Sequence, residues 1–339
     1  SQIIVAAAIG AVCYFFMILV CVHLEAKRMR LLGCDPSEIP EWSVILKDLH
    51  LLVPVIILLV LLFRDFSPHY AAFWSIVSVL PISWLRRETR IYPRQLWSIL
   101  VAGGQNMVIV ALACAGAGMF VACLTVTGIV ISFSTIITSF SGGNLLLAGV
   151  LLMITTLILG MGVPTTAAYI IGASIGAPIL IGMGVPVLGA HLFVFYFSIL
   201  ADATPPVSVA SYAAASIARA DPMRTGFAAW RLALAGFVIG YSYLYTPALM
   251  MEGPALEIVG QILVNLLGLT ILAAGLFGWF RVDLGPLMRL ALVLGGLVLA
   301  LLETYDAWPR VAVELALLAA LYWMPALLGT TPEKVPARK

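Results

Sequence analysis

Long apolar runs, separated by short polar segments, make up most of this chain. A helix that crosses a bilayer needs about 20 apolar residues, and several runs reach or approach that length. They are Gln2–Val22, Leu49–Phe63, Tyr70–Leu85, Leu96–Thr125, Gly226–Tyr245, Leu256–Phe280, Leu287–Leu302 and Val311–Leu328. Between Ile129 and Ile217 the apolar pattern is more broken. The pattern predicts an all-α polytopic membrane protein with interrupted helices near its middle.

The composition agrees with a chain that lies in a lipid bilayer. Of the 339 residues, 63% are hydrophobic and 10% are charged, whereas about 25% are charged in a typical soluble domain. The net charge of +2 is too small to indicate a nucleic-acid partner. No Walker A loop or zinc-type spacing is present, and the five cysteines form no CxxC pair. Because Ser1 leads almost directly into an apolar run, we expect the chain to be part of a longer protein.

Lysine and arginine cluster in alternate connections between the runs. The rich segments are 23–48, 86–95, 218–231 and the C-terminal tail, and the poor ones are 64–69 and 246–254. Basic residues favour the cytoplasmic side of a membrane. The chain is therefore expected to start outside and to end at Lys339 in the cytoplasm.

This orientation limits how the central region can be folded. Arg94 and Arg219 are both placed in the cytoplasm, so an even number of complete crossings must separate them. Leu96–Thr125 supplies one crossing and His191–Ile217 the other. The segment from about 144 to 184 must then enter and leave on the outer side. We predict a re-entrant helical hairpin with its tip at Gly160–Thr166.

The predicted tip, GMGVPTT, has the residues of a broken helix. Pro164 lacks an amide donor and disfavours helix at Val163, while Gly160 and Gly162 permit positive φ. Freed carbonyls and the hydroxyls of Thr165 and Thr166 are oxygen ligands that suit a small cation. A helix that starts after Pro164 directs the positive end of its dipole at an anion. The alternative is a Pro/Gly kink that only packs against neighbouring helices.

A second interruption follows in the stretch SILADATPPVSVAS, residues 198–211. Asp202 is the only acidic residue between Glu88 and Asp221, and an ionisable group inside a membrane is a functional candidate by default. Thr204, Pro205 and Pro206 break the helix predicted over about 188–217. Two interrupted segments are typical of the substrate and ion site of a secondary transporter. The alternative role for Asp202 is to cap amides freed near Thr204.

Three long stretches resemble a known family. They are GMGVPTTAAYI (160–170), AHLFVFYFSILADATPPVSVASYAAA (190–215) and ADPMRTGFAAWRLALAGFVI (220–239). They resemble the large membrane subunit of tripartite ATP-independent periplasmic (TRAP) transporters. The segments VHLEAKRMRLLG (22–33) and YLYTPALMMEG (243–253), with the spans that follow, are similar to the permease in which small and large subunits are fused.

The resemblance implies a sodium-driven importer of elevator type in a bacterial or archaeal inner (plasma) membrane. A periplasmic solute-binding protein delivers an organic anion, usually a carboxylate, and sodium is the coupling ion with no other cofactor. Carried over to this chain, Gly160, Gly162, Val163, Pro164, Thr165 and Thr166 form the hairpin tip, and Thr204, Pro205 and Pro206 form the paired break. The implied sodium ligands are Gly160, Gly162, Thr165 and Thr204, with help from Thr166. The first hairpin and the small-subunit region are expected in a missing N-terminal part, so this chain alone should not transport.

Three parts are predicted: N-terminal spans over 1–95, the transport repeat with hairpin and broken helix over 96–225, and C-terminal spans over 226–339. Within transport, the rival is a proton-coupled broken-helix anion transporter in which Asp202 carries the proton. An intramembrane enzyme using Asp202 and His191 is disfavoured, because no second acid lies nearby in the sequence. A membrane scaffold without transport is disfavoured by the two interruptions.

Overall fold

The computed structural model describes residues 2–31, 41–206, 208–301 and 307–327. Nearly all of them lie in helices, with a two-residue antiparallel ladder (Trp279 opposite Asp283) after α12. The elements are α1 (Gln2–Arg28), α2 (Trp42–Asp48), α3 (Val53–Phe63), α4 (Pro68–Ser83), α5 (Pro93–Thr127), α6 (Ile129–Ser141), α7 (Leu145–Gly160), α8 (Thr165–Gly182), α9 (Val187–Leu200), α10 (Val209–Ala218), α11 (Pro222–Tyr245), α12 (Ala255–Phe277), β1 (Trp279–Phe280), β2 (Val282–Asp283), α13 (Pro286–Leu301) and α14 (Ala307–Leu327).

The prediction of an all-α polytopic membrane protein is confirmed. Three of the helices, α1, α5 and α11, extend the predicted apolar runs into their polar flanks. For example, α11 starts at Pro222 because the Asp221 carboxylate accepts the amide of Arg224 and caps the helix. Within the described residues, five helices are long and apolar enough to cross a membrane, or six if the pair Cys114–Thr127 and Ile131–Ser141, bent by 79°, forms one span. α8 is one of the five, so its length alone does not distinguish a full span from a hairpin arm.

The first of two compact units contains the described residues 2–4 and 41–111. In it, α3 and α4 run antiparallel: the Ser75 hydroxyl donates to the Pro54 carbonyl at 2.8 Å, and Arg86 pairs with Asp48 at 3.2 Å. Ser67 caps α4 by accepting the amide of Tyr70. None of the described side chains of α3 is buried, as expected of an apolar helix that faces lipid.

The second unit contains the described residues 5–31 and 112–327. It has two apolar clusters: one joins α1 to α12, α13 and α14, and the other joins α6, α7 and α8. Both clusters include side chains of α9 and α11. In α11, Ala235, Val238 and Ile239 belong to the first cluster, and Tyr241 and Leu244 to the second. α11 is therefore covered on opposite faces and links the two halves of this unit.

The predicted division of the chain into three parts, with bounds at 95 and 225, remains a prediction.

Helices α7 and α8 pack against each other in opposite directions. Gly160 is next to Ala168, Gly172 next to Thr156, and Gly176 next to Leu152. The interface with α9 is equally close, because a Cβ on Gly172 would lie 2.9 Å from the Val194 Cγ1 atom. Small residues that bring helix backbones together are the usual means of helix association in membranes. The chain thus forms a three-helix packing unit from α7, α8 and α9.

We predict that Gly172→Val destabilises this three-helix unit. The new side chain has no space between Val194 and Thr156, and overpacking of this kind costs about 1–3 kcal/mol. Gly182→Val is the matched control in the same helix, because a Cβ there meets no atom within 4 Å. The thermal unfolding midpoint of the protein in detergent should fall for Gly172→Val and stay near wild type for Gly182→Val. Equal midpoints for the two variants would contradict the packing described.

Candidate functional site

The turn between α7 and α8 consists of residues 161–164. α7 ends at Gly160, whose carbonyl accepts the Val163 amide at 3.3 Å. Gly162 has φ +73°, a conformation that only glycine adopts without strain. Pro164 then precedes the first residue of α8, where its missing donor and fixed φ cause no loss. The residues at the centre of the predicted tip therefore form a tight turn between two antiparallel helices.

Three backbone carbonyl oxygens of this turn are available to bind a ligand. Among the hydrogen bonds of the described residues, none reaches the carbonyl oxygens of Met161, Gly162 or Val163. Carbonyls of this kind must bind water, an ion or protein when they lie at membrane depth. The Gly162 side of the turn is exposed and Val163 is half-buried, so the oxygens lie at an accessible surface.

The second interruption begins where α9 ends at Leu200. A single 3₁₀ turn covers Ala201–Ala203, and Thr204 is extended. The Thr204 hydroxyl donates to the Leu200 carbonyl at 2.7 Å, and its amide donates to the Ala201 carbonyl at 3.3 Å. The Pro205–Pro206 peptide is cis, and the helix resumes at Val209. The amide of Thr204 is thus satisfied by backbone, and in the described structure Asp202 does not cap it.

The two interruptions lie against each other. The Thr165 hydroxyl donates to the Asp202 carboxylate, with Oγ1 and Oδ2 separated by 3.4 Å. A Cβ on Gly160 would lie 2.8 Å from the Ala201 Cβ atom and 3.8 Å from the Ser198 carbonyl oxygen. Only glycine at position 160 allows this approach. The end of α7, the start of α8 and the end of α9 therefore meet at one point.

Helix ends of opposite polarity meet there. The carboxyl ends of α7 and α9 carry partial negative charge, and the amino end of α8 carries partial positive charge. Asp202 adds a full negative charge beside the two carboxyl ends. This arrangement attracts a small cation to the carboxyl ends and an anion to the amino end of α8. Within the described residues, no group of three or more His, Cys, Asp or Glu side chains is placed to hold a metal ion, so the available cation ligands are carbonyl, hydroxyl and Asp202 oxygens.

The predicted site residues fall into two sets. Gly160, Thr165 and Asp202 are brought together, with Pro164 and Val163 in the adjoining turn. The Thr166 side chain is exposed, and no hydrogen bond in the described part of the chain joins Thr204 to the hairpin tip. Pro205 faces α11, where it lies 3.6 Å from a Cβ placed on Gly226, and the Pro206 carbonyl accepts the Tyr212 hydroxyl.

The structure brings further polar residues near the two interruptions, and the sequence analysis did not predict their positions. The Tyr169 hydroxyl of α8 lies 2.9 Å from the Nδ1 atom of His191 on α9, so it joins the hairpin to the following helix. Tyr169 lies one helical turn after Thr165, and this i, i+4 spacing is the signal that places it on the same face. The Ser208 hydroxyl is buried in the second interruption without a partner among the described residues. No local pattern identifies that burial.

Comparison with known proteins assigns the chain to a family. The family model for the tripartite ATP-independent periplasmic transporter, DctM component, matches residues 1–249. The match covers α1–α11, including both interruptions. No curated protein and no solved structure matches the chain significantly. Because the match covers more than half of the 339 residues, the chain belongs to the DctM family, the large membrane component of TRAP-type secondary transporters.

Proposed function

We propose that this chain is part of a permease that imports an organic anion, a carboxylate, together with sodium. The observation that carries the proposal is the contact between Thr165 and Asp202, which joins two interrupted helices at one point. Family membership supplies the transport reaction, and a periplasmic solute-binding protein and a small membrane subunit are the implied partners. We place Lys339 in the cytoplasm on the basis of the basic segments, and the chain in the inner membrane on the basis of its family.

Sodium fits the oxygen atoms at this point. Carbonyls of the 161–163 turn have no donor among the described residues, and the Gly160 carbonyl keeps a second lone pair beside its bond to Val163. Thr165 and Asp202 add a hydroxyl and a carboxylate. The Thr204 carbonyl accepts the Ser208 amide and likewise retains a lone pair. Hard oxygen ligands of this kind are those preferred by small, non-polarisable cations.

The region around the site has no lysine or arginine, and this gives a physical reason why substrate binding should depend on sodium binding. Residues 95–218 contain no lysine or arginine, and His191 is their only basic side chain. A carboxylate substrate at the amino end of α8 therefore depends on the helix dipole and on the charge of a bound cation. Sodium beside Asp202 neutralises that carboxylate and removes its repulsion of the substrate. Each ligand then raises the affinity for the other, which is the thermodynamic requirement for symport.

The hairpin and the broken helix move together in this proposal. The α7–α8–α9 unit is held by close glycine contacts, so it can shift as a body in an elevator-type movement. The rival is proton coupling through Asp202. It is favoured by the isolation of this carboxylate, the only acidic side chain between Glu88 and Asp221, and is tested below.

We predict that Thr165→Val lowers the apparent affinity of the permease for sodium and that Thr166→Val does not. Thr165 contacts Asp202, whereas the neighbouring Thr166 side chain is exposed. Loss of one hydroxyl that bonds to a charged group should raise the sodium concentration for half-maximal uptake about tenfold. The measurement is uptake by the complete permease in proteoliposomes with its binding protein, over a range of sodium concentrations. Equal effects of the two substitutions would contradict the assignment of Thr165.

We predict that uptake by Asp202→Asn remains dependent on sodium but needs a higher concentration. The amide keeps the size of the side chain and its contact with Thr165, but removes the negative charge beside the cation. The control is the exposed Asp221→Asn, because the Asp221 carboxylate accepts the Arg224 amide at the cap of α11 and has no hydrogen bond to Thr165 among those of the described residues. If wild-type uptake is unaffected by sodium removal and Asp202→Asn abolishes it, the proton-coupled rival is correct.

We predict that single cysteines at Asn144 and at Gly182 react with a membrane-impermeant thiol reagent from the same, outer side. Asn144 precedes the first residue of α7 and Gly182 is the last residue of α8, so both lie at the end of the antiparallel pair opposite the 161–164 turn. Both positions are exposed. The background protein has the five native cysteines replaced. Labelling from opposite sides would show that α7 and α8 do not form a re-entrant hairpin.

A further inference from the structure

A polar cluster is buried among the apolar side chains of the C-terminal helices, and all of its members except Ser242 lie beyond the family match. Its members are Gln261 and Asn265 on α12, Arg310 and Glu314 on α14, and Ser242 on α11. Glu314 and Asn265 are fully inaccessible, and Arg310 is 8% exposed. α14 lies in an apolar run that we predict to span the membrane, where charged side chains are costly and mark functional sites.

Hydrogen bonds connect most of this cluster across helices. Arg310 Nη2 donates to Gln261 Oε1 at 2.8 Å, and Arg310 Nη1 donates to the Leu299 carbonyl of α13 at 3.4 Å. Asn265 donates to the Gln261 carbonyl at 3.0 Å and accepts the Ser242 hydroxyl at 3.5 Å. Arg310 therefore links α14 to both α12 and α13.

Glu314 stands apart from these bonds. Both of its carboxylate oxygens are buried and accept no hydrogen bond. Gly268 of α12 makes room for the carboxyl group, since a Cβ there would lie 3.1 Å from Glu314 Oε1 and 3.5 Å from the Ala300 Cβ atom. Gly268 and Ala300 are therefore the small residues next to this carboxyl group.

Three ways of neutralising a buried carboxylate can be compared. An ion pair would need Arg310 to bond to it, but neither Glu314 oxygen has a donor. A metal ion would need further ligands, and the described residues contain no cluster of three His, Cys, Asp or Glu side chains; Gln261 Oε1 and Asn265 Oδ1 already accept hydrogen bonds. A proton remains, and a neutral carboxyl group costs far less to bury than an unpaired charge.

We propose that Glu314 is a proton-binding residue inside the α11–α14 bundle, and that its proton maintains the bond between Arg310 and Gln261. Arg310 and Glu314 are i, i+4 neighbours on one helix face, close enough for an ion pair. Loss of the proton creates a carboxylate that draws the guanidinium away from Gln261, which loosens α14 from α12. Among the described residues, Arg310 is the charged side chain near Glu314, and the carboxyl group faces Gly268 of α12 and Ala300 of α13.

Dicyclohexylcarbodiimide tests this proposal, because it enters membranes and reacts with protonated carboxyl groups. The full chain in liposomes is treated at about pH 6 and at about pH 9 and analysed by peptide mass spectrometry. An N-acylurea adduct is expected on Glu314 at the lower pH and less of it at the higher pH. Glu25 is the internal control, since its carboxylate pairs with Arg231 at 3.1 Å and should stay unmodified. The adduct on Glu314 should be absent in Glu314→Gln.

Thermal unfolding provides a second readout that does not depend on access of the reagent. A proton held only by the folded chain makes stability fall as the pH rises, so the unfolding midpoint of the wild type should decrease between about pH 6 and about pH 9. Glu314→Gln has no proton to lose and should show a smaller decrease. The matched control Glu257→Gln changes an exposed carboxylate of α12 and should keep the wild-type slope. Equal slopes for wild type and Glu314→Gln overturn the proposal, with or without an adduct.

Discussion

Backbone polar groups that leave a helix inside a bilayer must find partners within the protein, and this constraint governs the centre of the molecule. Each of the two interruptions frees carbonyls and amides that hydrocarbon cannot satisfy. The structure answers by placing the 161–164 turn against the end of α9, where Thr165 reaches Asp202. Local bonds within each turn, such as those of Val163 and Thr204, satisfy part of the backbone. The oxygens that remain are the ligands of the proposed cation site.

Close contact between the interruptions depends on glycine residues, which have no side chain to separate the helices. Gly160 allows the end of α7 to touch Ala201, and Gly172 and Gly176 let α8 approach Val194 of α9. α11 then supports this unit from the other side, with Gly240 against the Phe197 ring. A site built on such contacts is held by the packing of four helices, which is a firmer support than a surface loop would give.

Much of the helix arrangement was predictable, because apolar length and the positions of Gly, Pro and charged residues act locally. The helix bounds follow the predicted runs closely, and the breaks at 161–164 and after Leu200 lie where Pro164 and Pro205 indicated. Side-chain partners were less predictable, since they depend on how one helix is rotated against another. From the sequence, both Thr165 and Thr166 are predicted to lie at the hairpin tip and to offer hydroxyl ligands. In the structure, the rotation of α8 turns Thr165 towards Asp202 and leaves Thr166 exposed. Glu314 was not singled out, because nothing in its local sequence shows that both oxygens are buried against Gly268.

Two acidic side chains within the second unit show how burial and partners decide chemistry. Asp202 is partly accessible, accepts a hydroxyl and lies beside carboxyl ends of helices, so a cation that arrives with solvent can bind it. Glu314 is inaccessible and has no donor, so a species larger than a proton cannot approach without separating α14 from α12. The same functional group is thus suited to an exchangeable ion in one place and to a retained proton in the other. Helix α11 contacts both regions, because Tyr241 belongs to the apolar cluster that includes Leu200 and Ala201 beside Asp202, and Ser242 bonds to Asn265.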